Sequence, residues 1–228
     1  MSSERTIYWD ACIFYEWLGN ENVSKEKSGG LKEVITENEI GGNIIITSVA
    51  THLEVLPQKL EAKDPAAEEK YLALFDAEKF FEIQISTNTI LLAREIRDFY
   101  YRPPVPEVPA VKAVAGRSFV PAVEYQVATS TTPEIEAKPE IPAVDKVEGQ
   151  PAIPAKSAKM MDLGDCIHLA TAIIQDAKEF HTRDNDDKGM KIPLLRLYDF
   201  SGVDSVCGKY PLKILSPLAI QGTLDVDP

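Results

Sequence analysis

Four carboxylates stand where a fold could gather them: Asp10, Glu54, Asp165 and Asp184. Asp10 closes an expected strand at 6–10. Glu54 lies on an expected helix that leaves a second strand, Asp165 sits in the first turn of another helix, and Asp184 follows a short strand at 179–182 by two residues. Taken singly, each has a commoner explanation. Asp10 fits a turn, Asp165 an N-cap or first-turn acid, Asp184 a wet acidic loop with Asp186 and Asp187, and Glu54 a solvated flank beside a Val49, Leu53, Leu56 stripe. None has a Lys or Arg partner one helical turn away. Together they make a different object. Two carboxylates ~5 Å apart repel by about 3 kcal/mol at an effective dielectric near 20, so a cluster must be partly protonated or neutralised by a cation. Hard oxygen ligands select Mg²⁺ or Mn²⁺. A carboxylate-held pair of such ions suits phosphodiester hydrolysis, one generating hydroxide and the other stabilising the leaving oxygen.

The elements that must position these residues alternate. Strands are expected at 6–10, 43–47, 81–86, 179–182 and 194–198. Helices are expected at 11–18, at 31–40 with Gly41 and Gly42 ending it, at 48–56 with Ser48 as cap and Pro57 as stop, and at 64–76, 87–101 and 162–178. The run at 43–47 is almost wholly aliphatic, as in a strand covered on both faces. Strands alternating with helices imply βαβ units and a mostly parallel sheet, an α/β fold of three α/β/α layers. In such sheets ligands gather beyond the carboxyl ends of the strands, where all four carboxylates fall.

Residues 102–159 depart from this pattern. They hold ten of the chain's sixteen prolines, ten alanines, nine valines and no leucine, and Val108-Pro109-Ala110-Val111 recurs as Val120-Pro121-Ala122-Val123 and Ile141-Pro142-Ala143-Val144. Proline at that density forbids regular helix, and without leucine there is little to build a core. A Pro/Ala/Val-rich extended or flexible insertion is expected there, with a hairpin near 117–129, inside a discontinuous domain of 1–101 and 160–228.

The chain of 228 residues carries 24 Lys plus Arg against 36 Asp plus Glu, a formal charge of −12. That argues against gripping nucleic acid through a broad basic face, though not against meeting phosphate through metal. Three cysteines, Cys12, Cys166 and Cys207, form no CxxC, which argues against structural zinc. The aliphatic run at 44–46 is far too short to span a bilayer and the amino terminus lacks signal character. A cytoplasmic, reduced protein without membrane contact is expected.

Four segments carry a family resemblance: Tyr8-Trp9-Asp10-Ala11-Cys12, Thr47 through Leu56 with Glu54, Gly164-Asp165-Cys166-Ile167-His168-Leu169-Ala170-Thr171-Ala172, and Phe180-His181-Thr182-Arg183-Asp184. Their order resembles that of PIN domains, most of all VapC-type ribonuclease toxins, over about 1–101 and 160–220. The resemblance implies a PIN-like fold and a Mg²⁺-dependent endoribonuclease, the toxin of a toxin–antitoxin pair. RNA would be the substrate, an antitoxin the partner and a homodimer the assembly. It implies Asp10, Glu54, Asp165 and Asp184 as metal ligands, with Asp187 or Asp186 as alternatives to Asp184, and Thr182 as the hydroxyl that orients the site. Arg94, Arg97 and Arg183 are the candidate phosphate contacts, while His52, His168 and His181 are expected to pack or cap. The insertion departs from the short connection usual at that point in such toxins. Two other readings compete: a non-catalytic PIN-like scaffold that binds a protein through the proline-rich segment, and an aspartyl phosphatase. The latter would want Asp-x-Asp where this chain has Asp10-Ala11-Cys12.

Overall fold

A computed structural model describes residues 5–19, 25–62, 64–76, 78, 80–106, 157–186 and 189–218. The chain divides into two units, 1–103 with 157–228, and 104–156. Of the second only 104–106 are described, so the expected hairpin at 117–129 and nearly all of the expected insertion lie outside the described residues. Within the first unit, Arg102 and Lys159 pair antiparallel through two backbone hydrogen bonds of 2.8 and 2.9 Å, which brings the two ends of the intervening segment together.

The elements run β1 (Arg5–Trp9), α1 (Ala11–Leu18), α2 (Lys25–Glu39), β2 (Asn43–Ser48), α3 (Thr51–Glu54), α4 (Pro57–Glu61) and α5 (Ala67–Ala73). They continue with β3 (Phe80–Ile83), α6 (Thr87–Tyr100), α7 (Leu163–Ile174), β4 (Glu179–His181), α8 (Leu197–Ser201) and β5 (Lys213–Leu215). The five strands form one sheet in the order β3-β2-β1-β4-β5, and every pairing is parallel. All carboxyl ends therefore share one edge. The chain builds outward from β1 through β2 to β3, then returns to place β4 on the other side of β1. The edge beyond β1 and β4 is thus the point where the strand order reverses.

Alternation along the strands separates two cores. Ile7, Trp9, Ile45 and Phe80 pack with Phe14, Leu18, Leu31, Leu60 and Tyr71 from α1, α2, α4 and α5. Tyr8, Ile46 and Phe180 point the opposite way, into Ala93, Ile96, Tyr100, Cys166, Leu169 and Leu197 from α6, α7 and α8. Helices thus cover both faces, as the aliphatic character of β2 demands. Among the described residues no helix is long and apolar enough to cross a membrane.

Several expected boundaries are corrected. The expected helix at 48–56 shrinks to Thr51–Glu54, because Ser48 still belongs to β2. Leu53 is consequently 81% exposed and Val55 buried, so the expected Val49, Leu53, Leu56 stripe does not form. Pro57 does more than stop a helix, since it starts α4 from its first turn, where its missing N–H costs nothing. α2 begins ahead of Leu31 and runs through Gly30, where a Cβ would lie only 2.6 Å from the Leu218 carbonyl carbon. The expected strand at 194–198 is a 3₁₀ turn, Leu194–Arg196, leading into α8. Leu194 and Leu197, three apart, are its buried residues, a helical spacing within a run that looks strand-like. The fifth strand is instead β5.

Candidate metal centre

Asp10 follows the last residue of β1 and caps α1, its Oδ1 accepting from Ala11 N at 2.8 Å. Its own N–H donates to His181 O at 3.1 Å, which ties the end of β1 to the end of β4. Oδ2 accepts from the Thr182 hydroxyl at 2.7 Å and from the Cys12 thiol at 3.1 Å. Thr182 Oγ1 in turn accepts from Asp184 N at 3.1 Å. This buried hydroxyl therefore fixes the Asp10 carboxylate and the start of the Asp184 loop at once. The Cys12 thiol is pushed up by burial and then by the Asp10 charge, so it stays protonated and serves as a donor.

Glu54 reaches the same edge from α3. Its Oε1 lies 3.1 Å from His168 Nε2, and His168 Nδ1 lies 2.6 Å from the Tyr8 hydroxyl. Tyr8 OH also accepts from Ser48 N at 2.9 Å, so its single proton is free to point at His168 Nδ1. That leaves the His168 proton on Nε2, facing Glu54. Burial opposes a charged His168, but the Glu54 hydrogen bond and the charges of Asp10, Glu54 and Asp165 outweigh it and raise its pKa. Gly164 makes room for this arrangement at the start of α7: a Cβ there would sit 2.4 Å from Glu54 Oε1. One ligating atom each from Asp10, Glu54 and His168 lies within 4.8 Å of the others. Two oxygens and an imidazole nitrogen at that spacing fit a divalent cation once His168 Nε2 gives up its proton and Nδ1 becomes the donor to the Tyr8 oxygen, and the nitrogen favours Mn²⁺ over Mg²⁺.

Asp165 and Asp184 meet in the same pocket but around a different partner. Lys191 Nζ lies 3.2 Å from Asp165 Oδ2 and 3.1 Å from Asp184 Oδ2. The cap of α7 is Asp162, whose side chain accepts from Gly164 N at 2.9 Å, so Asp165 is left to face the pocket. The Asp165 carboxyl is pushed up to about 7, chiefly by burial and also by Asp10 and Asp184, with Lys191 pulling against them. Asp184 is held further by Leu194 N, which donates to its Oδ2 at 3.1 Å.

The remaining candidates are placed as follows. Asp186 is exposed, and Asp187 lies outside the described residues. Arg183 is engaged by Glu16 in a mostly buried ion pair, Nη2 to Oε1 at 2.9 Å, with Ser216 beside it. Arg94 and Arg97 line a groove of ≈ 580 Å³ on α6 together with Leu91, Asp98 and Met160. That groove adjoins the pocket through Met160, which pairs with Lys191 through backbone bonds to Met190 and Ile192. His52 and His181 pair with Glu82 and Glu179, as packing or capping residues would.

His168, expected to pack or cap, instead stands with Asp10 and Glu54, and Lys191 was not picked out from the sequence at all. His168 had a usable signal, for it lies three residues after Asp165 on one helix and hence on the same face. Lys191 had none. It comes from a loop with no helical or strand spacing to Asp165, which is why the carboxylates looked unpartnered. Comparison with models of known protein families, with curated proteins and with solved structures finds no match for this chain.

Proposed function

We propose that this chain is a divalent-metal-dependent endoribonuclease of the PIN type, acting as the toxin of a toxin–antitoxin pair. The observation that carries the reading is the convergence of Asp10, Glu54 and His168 at the reversal point of a parallel sheet. A bound ion would supply Lewis-acid polarisation of a phosphate oxygen and a lowered pKa for water. The chain supplies the rest. Asp10, immobilised by Ala11 N, Thr182 and Cys12, offers a carboxylate whose position does not depend on the ion. Glu54, 39% exposed at its side chain, forms the solvent-facing wall through which a substrate would enter. Asp165, with its pKa near 7, is suited to exchange a proton at neutral pH. Arg94 and Arg97 would take flanking phosphates in the adjoining groove. RNA as the substrate, an antitoxin partner and a homodimer rest on the resemblance of the four motifs alone.

The test is direct. Purified protein incubated with single-stranded RNA should cleave it with Mn²⁺ or Mg²⁺ and stop on adding EDTA. Asp10→Asn should lower the rate by two orders of magnitude or more with its thermal transition retained. Metal-independent cleavage, or full activity in Asp10→Asn, would refute the reading. Should no nucleic acid be cut, the scaffold reading gains, and deleting 102–159 should then abolish capture of its protein partner.

A further inference from the structure

We propose that Lys191 fills the second cation seat of this pocket, so that the site takes one divalent ion at Asp10, Glu54 and His168 and none between Asp165 and Asp184. The inference rests on the metal-dependent reading above and restricts it, because it excludes a two-ion arrangement. Its ground is geometric. Asp165 comes from α7 and Asp184 from the loop after β4, yet both bring Oδ2 within ion-pair distance of one ammonium, at 3.2 and 3.1 Å, and Asp165 Oδ2, buried and without a hydrogen bond, has this charge as its counterpart. Two carboxylates from separate elements converging on one cation is the pattern of a bridging metal, with the longer spacing an ammonium requires.

The lysine is brought there by the backbone on both sides. Met160 N donates to Met190 O at 2.9 Å and Ile192 N to Met160 O at 3.1 Å, holding Lys191 beside the segment that leads into α7. On the other side, Leu194 N donates to Asp184 Oδ2 at 3.1 Å and Leu195 N to Asp184 O at 2.9 Å, closing the loop that carries the lysine back onto its own partner. An ammonium so tethered need not be captured from solvent, so it competes with a free ion at a high effective concentration. No permanent cation reaches the other seat among the described residues: Asp10 is satisfied by hydroxyl, thiol and amide donors, and Glu54 by an imidazole that pairs with it when protonated and can ligate when neutral. The pocket is thus divided, with a permanent positive charge on one side and an exchangeable one on the other.

Calorimetric titration with Mn²⁺ reads the division as stoichiometry, independently of any cleavage. Wild type should bind one ion per chain. Lys191→Met keeps the aliphatic stem at a half-exposed position and should bind two, with folding verified by circular dichroism. Lys191→Arg should bind one, and Asp165→Asn with Asp184→Asn in the wild-type background should still bind one. Two ions in wild type, one in a folded Lys191→Met, or loss of binding in the double Asn variant would overturn the assignment while leaving metal dependence intact. No ion in any of these proteins would sink the metal-dependent reading together with it.

Discussion

At the scale of single residues, the centre depends on groups whose roles are set by neighbours that never touch a ligand. Tyr8 is fully buried and its hydroxyl satisfies both Ser48 N and His168 Nδ1. Tyr8→Phe leaves both without a partner, which should cost about 1–3 kcal/mol of stability. It also frees His168 to rotate, so Mn²⁺ affinity should fall roughly 10-fold to 100-fold; urea melts and calorimetry would register the two effects separately. Asp165 makes a second prediction. Its folded pKa near 7 lies above the ordinary value of 3.8, so between those limits the native state binds more protons than the unfolded chain. Its contribution to stability is therefore full below about pH 4 and lost as pH rises through about 7. In EDTA, the stability difference between Asp165→Asn and wild type should move in favour of the variant from pH 5 to pH 8, on the order of a few kcal/mol. A constant difference would contradict the raised pKa. The sequence made Asp10, Asp165 and Asp184 visible because each falls beside the end of a strand or the start of a helix, and Glu54 because it lies on the helix that leaves β2. It left Lys191 invisible because its pairing is purely tertiary.

At the scale of elements, the first turn of α7 matters most. Gly164 lies in ordinary helical backbone, where alanine would favour the helix by up to about 1 kcal/mol. Its Cβ would nevertheless meet Glu54 Oε1 at 2.4 Å, and the carboxylate, being the free end of a side chain, would give way. Gly164→Ala should thus hold or raise the melting temperature of the metal-free protein while weakening Mn²⁺ binding. Weakened folding with unchanged binding would reverse that reading. The parallel sheet and its principal helices were legible from the aliphatic run of β2 and the alternation of strands with helices, whereas Ser86, expected as the last residue of a strand, instead caps α6 and forms a capping box with Thr89. The short pieces were not. α3 holds four residues and β5 three, so neither completes enough of a period to announce itself, and the 194–198 run gave helix and strand the same apolar signal.

At the scale of the whole molecule, a formal charge of −12 leaves little long-range attraction for RNA, so the proposed ribonuclease would have to hold its substrate through local contacts. A bound ion would also tie together elements from distant parts of the chain: the end of β1, α3 and α7. Mn²⁺ should therefore stabilise the native state, by about 2.7 kcal/mol at a concentration ~100-fold above its dissociation constant, and Asp10→Asn should lose that gain. The position of a bound ion decides between one cation seat and two. In crystals grown with Mn²⁺, anomalous scattering should show one peak among Asp10, Glu54 and His168, with Lys191 still bridging Asp165 and Asp184. No peak in the pocket, or a peak seated between Asp165 and Asp184 with the lysine displaced, would contradict the account.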